Sequence, residues 1–288
     1  MELQHSQNFI HNPNLIKNLL ANSNISFGDT VIDIGAGEGS ITKELAKKVG
    51  EKGKVIAIEL ENEAFQLLEQ LPQKYKNVEV LNQDIHTYQF PKESFKVFSN
   101  IPFNITSDIL NKLLNPYIPM IETYLVIQKE AAEMYGGDQI EMSDNTLKSL
   151  LAYPFYTFKI VHRFSKTDFF PMPRVNSNFL RIQRRAHDLI DISDLKEYQD
   201  FVSYIVQDRV GEGGWKKIFT QNQMNILAQK FGLEMNRGIK IQQQEKLVEV
   251  FLEYLKIVDV SKKNLVKGRY QQLLEEQNKL EKLRRTQG

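Results

Sequence analysis

The chain contains no cysteine. Disulfides, thiolate-held metals and cysteine nucleophiles are therefore excluded, no metal site is expected, and a cytosolic setting is the simplest fit. No apolar run approaches the roughly 18 residues of a membrane span, so no membrane association is expected. The opening MELQHSQNFIHNPN lacks a charged start followed by an apolar stretch and does not read as a signal peptide. A large net charge is missing as well. The formal value is +1, too modest for a protein that coats nucleic acid indiscriminately. No internal repeat is visible.

What is present is ordinary in bulk and uneven in detail. Hydrophobic residues are 41% and charged residues 25% of 288, which suits a monomeric globular chain with one large domain, or one large and one small. Residues 1–180 carry a net charge of −4 and residues 181–288 a net charge of +5. The window 159–185 holds seven cations, Lys159, Arg163, Lys166, Arg174, Arg181, Arg184 and Arg185, against the single acid Asp168. That run reads either as a phosphate-binding surface or as a solvated strand face.

Short β-branched runs alternate with helical patterns through the first half. NPNLIKNLLANS predicts a helix capped by Asn12, with Pro13 in its first turn. TVIDIGAG, KVIAIEL, VEVLNQD, FKVFSN and TYLVIQK predict strands, with helices such as SITKELAKKV, NEAFQLLEQL and DILNKLL between them. Strands alternating with helices imply crossovers and a mainly parallel sheet covered on both faces. After about residue 150 come TFKIVHRFS and SNFLRIQRR, two further strands around the loop KTDFFPMPRVN. The pattern is then helical to about 258, and 259–288 is a charged tail that reads as an exposed helix or partly disordered.

Three strand-ends carry chemistry. DIGAGEGS follows a strand and opens a helix, with Gly35, Gly37 and Gly39 at alternate positions. A loop without Cβ atoms lets a ligand lie against backbone near free helix N–H groups. Glu59 ends the next strand, placed to take both hydroxyls of a ribose. Asp84, in NQDIH, ends the third, where it can accept from an adenine amino group while Ile85 packs on the ring. S-adenosylmethionine fits this set. NAD is the competitor, disfavoured by the glycine spacing and by the lack of a hydride-transfer site.

The fourth strand-end is Asn100-Ile101-Pro102-Phe103. Alone, it reads as a turn with a core aromatic. Beside a methyl donor it reads as a holder for an amine-bearing ring. The Asn100 side-chain oxygen and the Ile101 carbonyl accept the two N–H bonds of an exocyclic amine, Pro102 stiffens the turn, and Phe103 offers a face for stacking.

Taken in order, QNFIHN, DIGAGEGS, Glu59 in IELE, Asp84 in NQDI, NIPFNIT, LVIQKEAAE and FFPMPRVNS resemble the rRNA adenine N6-dimethyltransferase family over most of residues 4–255. The resemblance implies a Rossmann-like class I methyltransferase α/β sheet with a small C-terminal helical domain. It implies domains at 1–180 for S-adenosylmethionine and catalysis and 181–258 for RNA, followed by the tail. It also implies cofactor contacts at Asn8 and Ile10, which composition alone does not suggest. WKKIFTQNQMNIL, residues 215–227, is similar to the Erm-type branch. That branch methylates a 23S rRNA adenine within an RNA hairpin and so blocks macrolide, lincosamide and streptogramin B antibiotics. The other branch modifies small-subunit rRNA during ribosome assembly. A non-catalytic RNA-binding assembly factor of the same fold is a further reading. Three departures stand out: Phe103 where many members carry Tyr, the acidic stretch GGDQIEMSD at 136–144, and a tail with no counterpart in the family.

Overall fold

The computed structural model describes residues 9–10, 12–140, 143–207, 214–232 and 243–286. Contacts divide the chain into two units, one made of the residues up to Glu133 together with Tyr156–Arg184, the other of Met134–Phe155 together with the residues from Arg185 onward.

Among the described residues, the first unit is built on nine strands: β1 (Phe9–Ile10), β2 (Thr30–Ile34), β3 (Lys54–Glu59), β4 (Val78–Asn82), β5 (Phe95–Asn100), β6 (Met120–Gln128), β7 (Tyr156–Arg163), β8 (Phe169–Phe170) and β9 (Ser177–Arg184). Seven of them form one sheet in the order β4-β3-β2-β5-β6-β9-β7. These are the seven runs read as strands from the sequence. β2 to β6 pair in parallel, while β9 runs antiparallel to both β6 and β7. The central strands are β-branched and almost entirely buried, as in Val31, Ile32, Val55 and Ile58. A parallel sheet covered by helices on both faces requires that. Helices α1 (Pro13–Ala21), α2 (Ser40–Val49), α3 (Asn62–Leu68), α4 (Leu71–Lys74) and α5 (Thr106–Leu113) supply the cover and the crossovers. Asn12 caps α1 by accepting the Asn14 N–H at 3.0 Å, with Pro13 following. The expected single helix over NEAFQLLEQL ends at Leu68, and a separate turn, α4, contains Pro72.

One expectation needs refinement. The stretch around Phe169 and Phe170 is not only loop: it forms β8, which pairs with β1 through Phe9↔Phe170 and Ile10↔Phe169. Prolines 171 and 173, without N–H donors, prevent a longer ladder. Phe9–Ile10 and Phe169–Phe170 thus meet in space although about 160 residues separate them.

Helix α6 (Lys129–Gly136) leads out of β6. The second unit contains α7 (Leu147–Ala152), α8 (Leu195–Gln207), α9 (Gly214–Ile218), α10 (Gln221–Phe231), α11 (Gln244–Ile257), α12 (Val260–Val266) and α13 (Arg269–Thr286). Its core is aromatic: Tyr198, Phe201, Phe219, Phe251 and Tyr254 are all fully buried. Residues 134–155 group with it for visible reasons. The Tyr198 hydroxyl donates to the Leu150 carbonyl at 2.8 Å, and the Gln244 N–H donates to the Asp138 carboxylate at 3.0 Å. The acid of the GGDQ stretch therefore caps α11, and Gly137 (φ +55°) leaves room for Asn145, Gln244 and Ser149 to converge. The charged segment beyond 258 is helical, as α12 and α13. No helix among the described residues is long and apolar enough to cross a membrane.

Candidate active site

The sheet order reverses direction between β2 and β5. In open parallel sheets, ligands bind at the carboxyl edge beside such a reversal. The two strands that flank it end in the glycine loop and in Asn100.

Gly35, Gly37 and Gly39 all have left-handed backbone, with φ of +67°, +55° and +80°. Gly35 and Ala36 both donate to the Ile58 carbonyl of β3, at 2.8 and 3.1 Å. A Cβ on Gly35 would stand 2.9 Å from Pro102 Cδ, and one on Gly37 would stand 2.8 Å from Phe9 Cε1. The glycine loop thus meets both the Asn-Ile-Pro-Phe turn, through Pro102, and the ring of Phe9. Pro102 is extended, and Phe103 opens a 3-10 turn, Phe103–Ile105, before α5. Ile101 is buried, while Asn100, Pro102 and Phe103 are half-buried.

Glu59 closes β3 and is 3% exposed. Its carboxylate accepts the Gly37 N–H on one oxygen and the Leu60 and Glu61 N–H groups on the other, all within 2.9 Å. It therefore shapes the glycine loop directly. Those bonds fill both lone-pair sites of one oxygen and leave one site free on the oxygen that accepts from Gly37. Asp84 is more open, and one of its oxygens accepts the His86 N–H at 2.9 Å and meets the His86 ring Nδ1 at 2.6 Å. Those contacts, the backbone one foremost, hold the Asp84 carboxyl below its ordinary value. Asp84 and then Asp108, 3.2 Å from Nε2, raise the imidazole. Lys112 of α5 donates to the Ile85 and His86 carbonyls at 2.7 and 3.0 Å, and Ile85 is buried.

A cavity of about 460 Å³ opens between the glycine loop, α1 and α2. Ile10, Asp33, Gly35, Asn100 and the rings of Phe9 and Phe170 form part of its wall. The volume lies within the range of small-molecule sites. Gly37, Glu59, Asp84, Ile85, Ile101, Pro102 and Phe103 are not in that wall; Glu59 holds Gly37, which lies between the wall residues Ala36 and Glu38. Ile10 is placed there by its pairing with Phe169, and Asn8 lies outside the described residues.

Two participants escaped the sequence reading. Phe170 is 73% exposed at the cavity, a large apolar ring left in the open. Asp33 is 1% exposed, accepts the Thr42 hydroxyl at 2.7 Å on Oδ2, and has no hydrogen-bond partner for Oδ1. Its signal was visible: an acid inside the otherwise apolar strand TVIDI is unexpected in a buried parallel sheet.

The family model described as Ribosomal RNA adenine dimethylase matches residues 2–256. The chain belongs to that family. It is an rRNA adenine-N6 methyltransferase, and its cofactor is S-adenosylmethionine. An rRNA adenine N-6-methyltransferase of Bacteroides fragilis is 32% identical over 255 residues, 88% of this chain and 93% of the relative. A ribosomal RNA small subunit methyltransferase A of Alkaliphilus oremlandii is 29% identical over 216 residues, 72% of each chain. Among solved structures, the 23S rRNA methyltransferase ErmE is 23% identical with a TM-score of 0.76, covering 86% of this chain and all of that one. This last likeness supports the fold: a class I methyltransferase sheet with a helical C-terminal part.

The site fits the cofactor on its own terms. A glycine cradle that any Cβ would fill, a cavity of suitable size and an unpartnered buried carboxylate oxygen suit a ligand with a cationic centre.

Proposed function

We propose that the chain methylates N6 of one adenine in a 23S rRNA hairpin, adding one or two methyl groups, and thereby confers macrolide, lincosamide and streptogramin B resistance. In this reading it acts as a monomer in the cytosol. The observation that carries the chemistry is the contact of Pro102 with Gly35, which seats an amine-holding turn against the cofactor loop. The choice of 23S rRNA is supported by the structural likeness to a 23S rRNA methyltransferase and by the WKKIFT segment at the start of the α9–α10 region.

The cofactor supplies a methyl group already activated on a sulfonium. The chain has to place an amine about 3 Å from it in line. Asn100 accepts one amine N–H through its side-chain oxygen, and Ile101 accepts the other through its carbonyl. That pair turns the nitrogen lone pair away from the base ring. Phe103 stacks on the base, an interaction worth about 1–3 kcal/mol, and Phe in place of Tyr keeps the stacking face while giving up a hydroxyl. Glu59 takes the ribose hydroxyls through the one carboxylate lone pair that backbone leaves free. Asp84 takes the adenine amine on the oxygen that His86 leaves open, and Ile85 packs on that ring. Ile10 and Gly35 line the methionine end, and Asn8 and Gly37 are assigned cofactor contacts beside them. No strong general base is required, because the nitrogen becomes cationic on gaining the methyl and gives up its extra proton to water.

Primer extension on rRNA from cells expressing the chain tests the reading, because a dimethylated adenine halts reverse transcriptase. The expected result is one new stop in 23S rRNA together with erythromycin resistance, and loss of both in Asn100→Ala. Stops confined to adjacent adenines of 16S rRNA would instead make the chain a ribosome-assembly enzyme.

A further inference from the structure

His86 has no task in the methyl transfer, yet its ring stands between two carboxylates. Asp84 lies two residues beyond the end of β4. Its carbonyl accepts the Thr87 and Tyr88 N–H groups, both at 3.1 Å, so residues 84–88 close a tight turn. Within that turn the His86 Nδ1 lies 2.6 Å from Asp84 Oδ1, and on its far side Nε2 lies 3.2 Å from Asp108 Oδ2. Asp108 belongs to the first turn of α5. One turn further along that helix, Lys112 donates to the Ile85 and His86 carbonyls at 2.7 and 3.0 Å. The charged groups around the ring are thus Asp84 on its own loop and Asp108 and Lys112 on α5. The same helix begins where the Asn100–Phe103 turn ends: the 3-10 turn Phe103–Ile105 runs into Thr106, whose hydroxyl donates to the Pro102 carbonyl at 3.4 Å. Helix α5 therefore grips the 84–86 loop at two points, and one of the two is a histidine.

A neutral imidazole has one N–H and can donate to one carboxylate, whereas the protonated ring donates to both. We propose that His86 is a positioning residue for the cofactor: as an imidazolium shared by Asp84 and Asp108, it fixes the Asp84 carboxylate and fastens the adenine-binding loop to α5. The inference rests on the reading that gives Asp84 the adenine amine of S-adenosylmethionine, and it adds the residue that orients that acid. Asp84 Oδ1 is taken twice by His86, once by its backbone N–H and once by its ring, so Oδ2 is the oxygen that His86 leaves for a ligand. Asp84 first and Asp108 second hold the imidazole above its ordinary value of 6.5. A group raised in this way holds its partners fully below its ordinary pKa and lets go as pH climbs through the raised value. The clamp is therefore closed on the acid side. On the alkaline side the neutral ring keeps one carboxylate and turns a bare nitrogen lone pair toward the other. The three side chains are 46%, 41% and 57% exposed for His86, Asp84 and Asp108. Exposed ion pairs hold weakly, so the effect expected is several-fold and not orders of magnitude.

Calorimetric titration of the full chain with S-adenosylmethionine from pH 6 to pH 9, beside His86→Gln and Asp108→Asn, tests this. The ratio of wild-type to His86→Gln affinity cancels the ionisation of the cofactor's own amine. That ratio should be about three- to fivefold at pH 6 and should shrink as pH rises. Its midpoint should lie above 6.5 and coincide with the titration of the histidine ring resonance that His86→Gln removes from the NMR spectrum. Asp108→Asn places beside Nε2 an amide that accepts from the charged ring and donates to the neutral one. It should bind as tightly as wild type at pH 6 and more tightly than wild type at pH 9. A ratio near one at every pH would overturn the role of His86 and leave the cofactor assignment standing. A ratio above one that does not change with pH would make His86 a merely structural residue and overturn the proposal too, as would an Asp108→Asn profile that follows wild type. Unchanged affinity in Asp84→Ala would instead overturn the assignment of Asp84 to the adenine, on which the inference rests.

Discussion

At the scale of single residues, the site depends on positions where a side chain is forbidden. Gly28 and Gly35 are both left-handed, with φ of +91° and +67°, but they differ in surroundings. Nothing stands within 4 Å of a Cβ placed on Gly28, whereas one on Gly35 meets the Pro102 ring at 2.9 Å. Alanine at either position carries the left-handed penalty of about 1–2 kcal/mol. Only Gly35→Ala must also displace the ring of Pro102, and with it the Asn100–Phe103 turn. Gly28→Ala should lower the melting temperature and leave S-adenosylmethionine affinity unchanged. Gly35→Ala should lower the melting temperature further and weaken cofactor binding at least several-fold. Equal cofactor affinities in the two variants would mean that the contact between loop and turn does not shape the site. The glycines, Glu59, Asp84 and Asn100 were legible because each ends a strand whose β-branched run is plain in the sequence. The three backbone N–H groups that Glu59 holds were not legible, since they depend on how the loop folds back over the end of β3.

At the scale of elements, what sequence reading misses is long-range. The seven sheet strands announce themselves locally. The pairing of β1 with β8 does not, because two-residue ladders have no periodicity to detect. The charged segment beyond 258 shows the same limit. Its composition permits a solvated helix or a disordered tail, and the decisive partner is a buried acid on another helix. Asp200 of α8 is 5% exposed and accepts the Gly268 N–H at 2.8 Å and the Tyr270 N–H at 3.0 Å. It thereby caps the start of α13, which packs along α8. Hydrogen bonds to a charged acceptor contribute about 1.5–3 kcal/mol, and helix caps about 1 kcal/mol. Asp200→Asn keeps the shape of the side chain and removes the charge, so it should release α13 in part while α8 stays folded. Hydrogen exchange should then show faster exchange at the α13 amides, with the amides of β2, β3 and β5 unchanged. Protection of α13 equal to wild type would show that its apolar contacts alone hold it.

At the scale of the whole molecule, the question is where the RNA phosphates sit. A basic run at 159–185 is plain in the sequence, and the fold divides it. Arg181 pairs with the buried Glu122 and bonds Gln183, Arg184 lies over the Tyr156 ring and donates to the Pro116 carbonyl, and Arg185 lies over Tyr153 and donates to its carbonyl. Lys166 donates to the Arg174 carbonyl at 2.6 Å and so holds the loop that carries β8. Arg181, Arg184, Arg185 and Lys166 thus have structural work, which charge counting cannot reveal. Lys159, Arg163 and Arg174 remain exposed, the first two on β7 at the edge of the sheet and the third in the loop after β8. A target base inside folded RNA has to be turned out of its stack, which costs a few kcal/mol, and phosphate contacts away from the site offset that cost. Reversing Lys159, Arg163 and Arg174 to Glu should weaken binding of an rRNA hairpin and flatten its salt dependence by about one unit of slope for each phosphate no longer held. S-adenosylmethionine affinity should not change, because none of the three lies at the carboxyl ends of β2 to β5. Retention of the wild-type affinity and salt slope would move the footprint off this edge. Exposed cations of the second unit such as Lys216, Lys217 and Lys267 would then be the group to reverse next, since that half of the chain carries the positive excess.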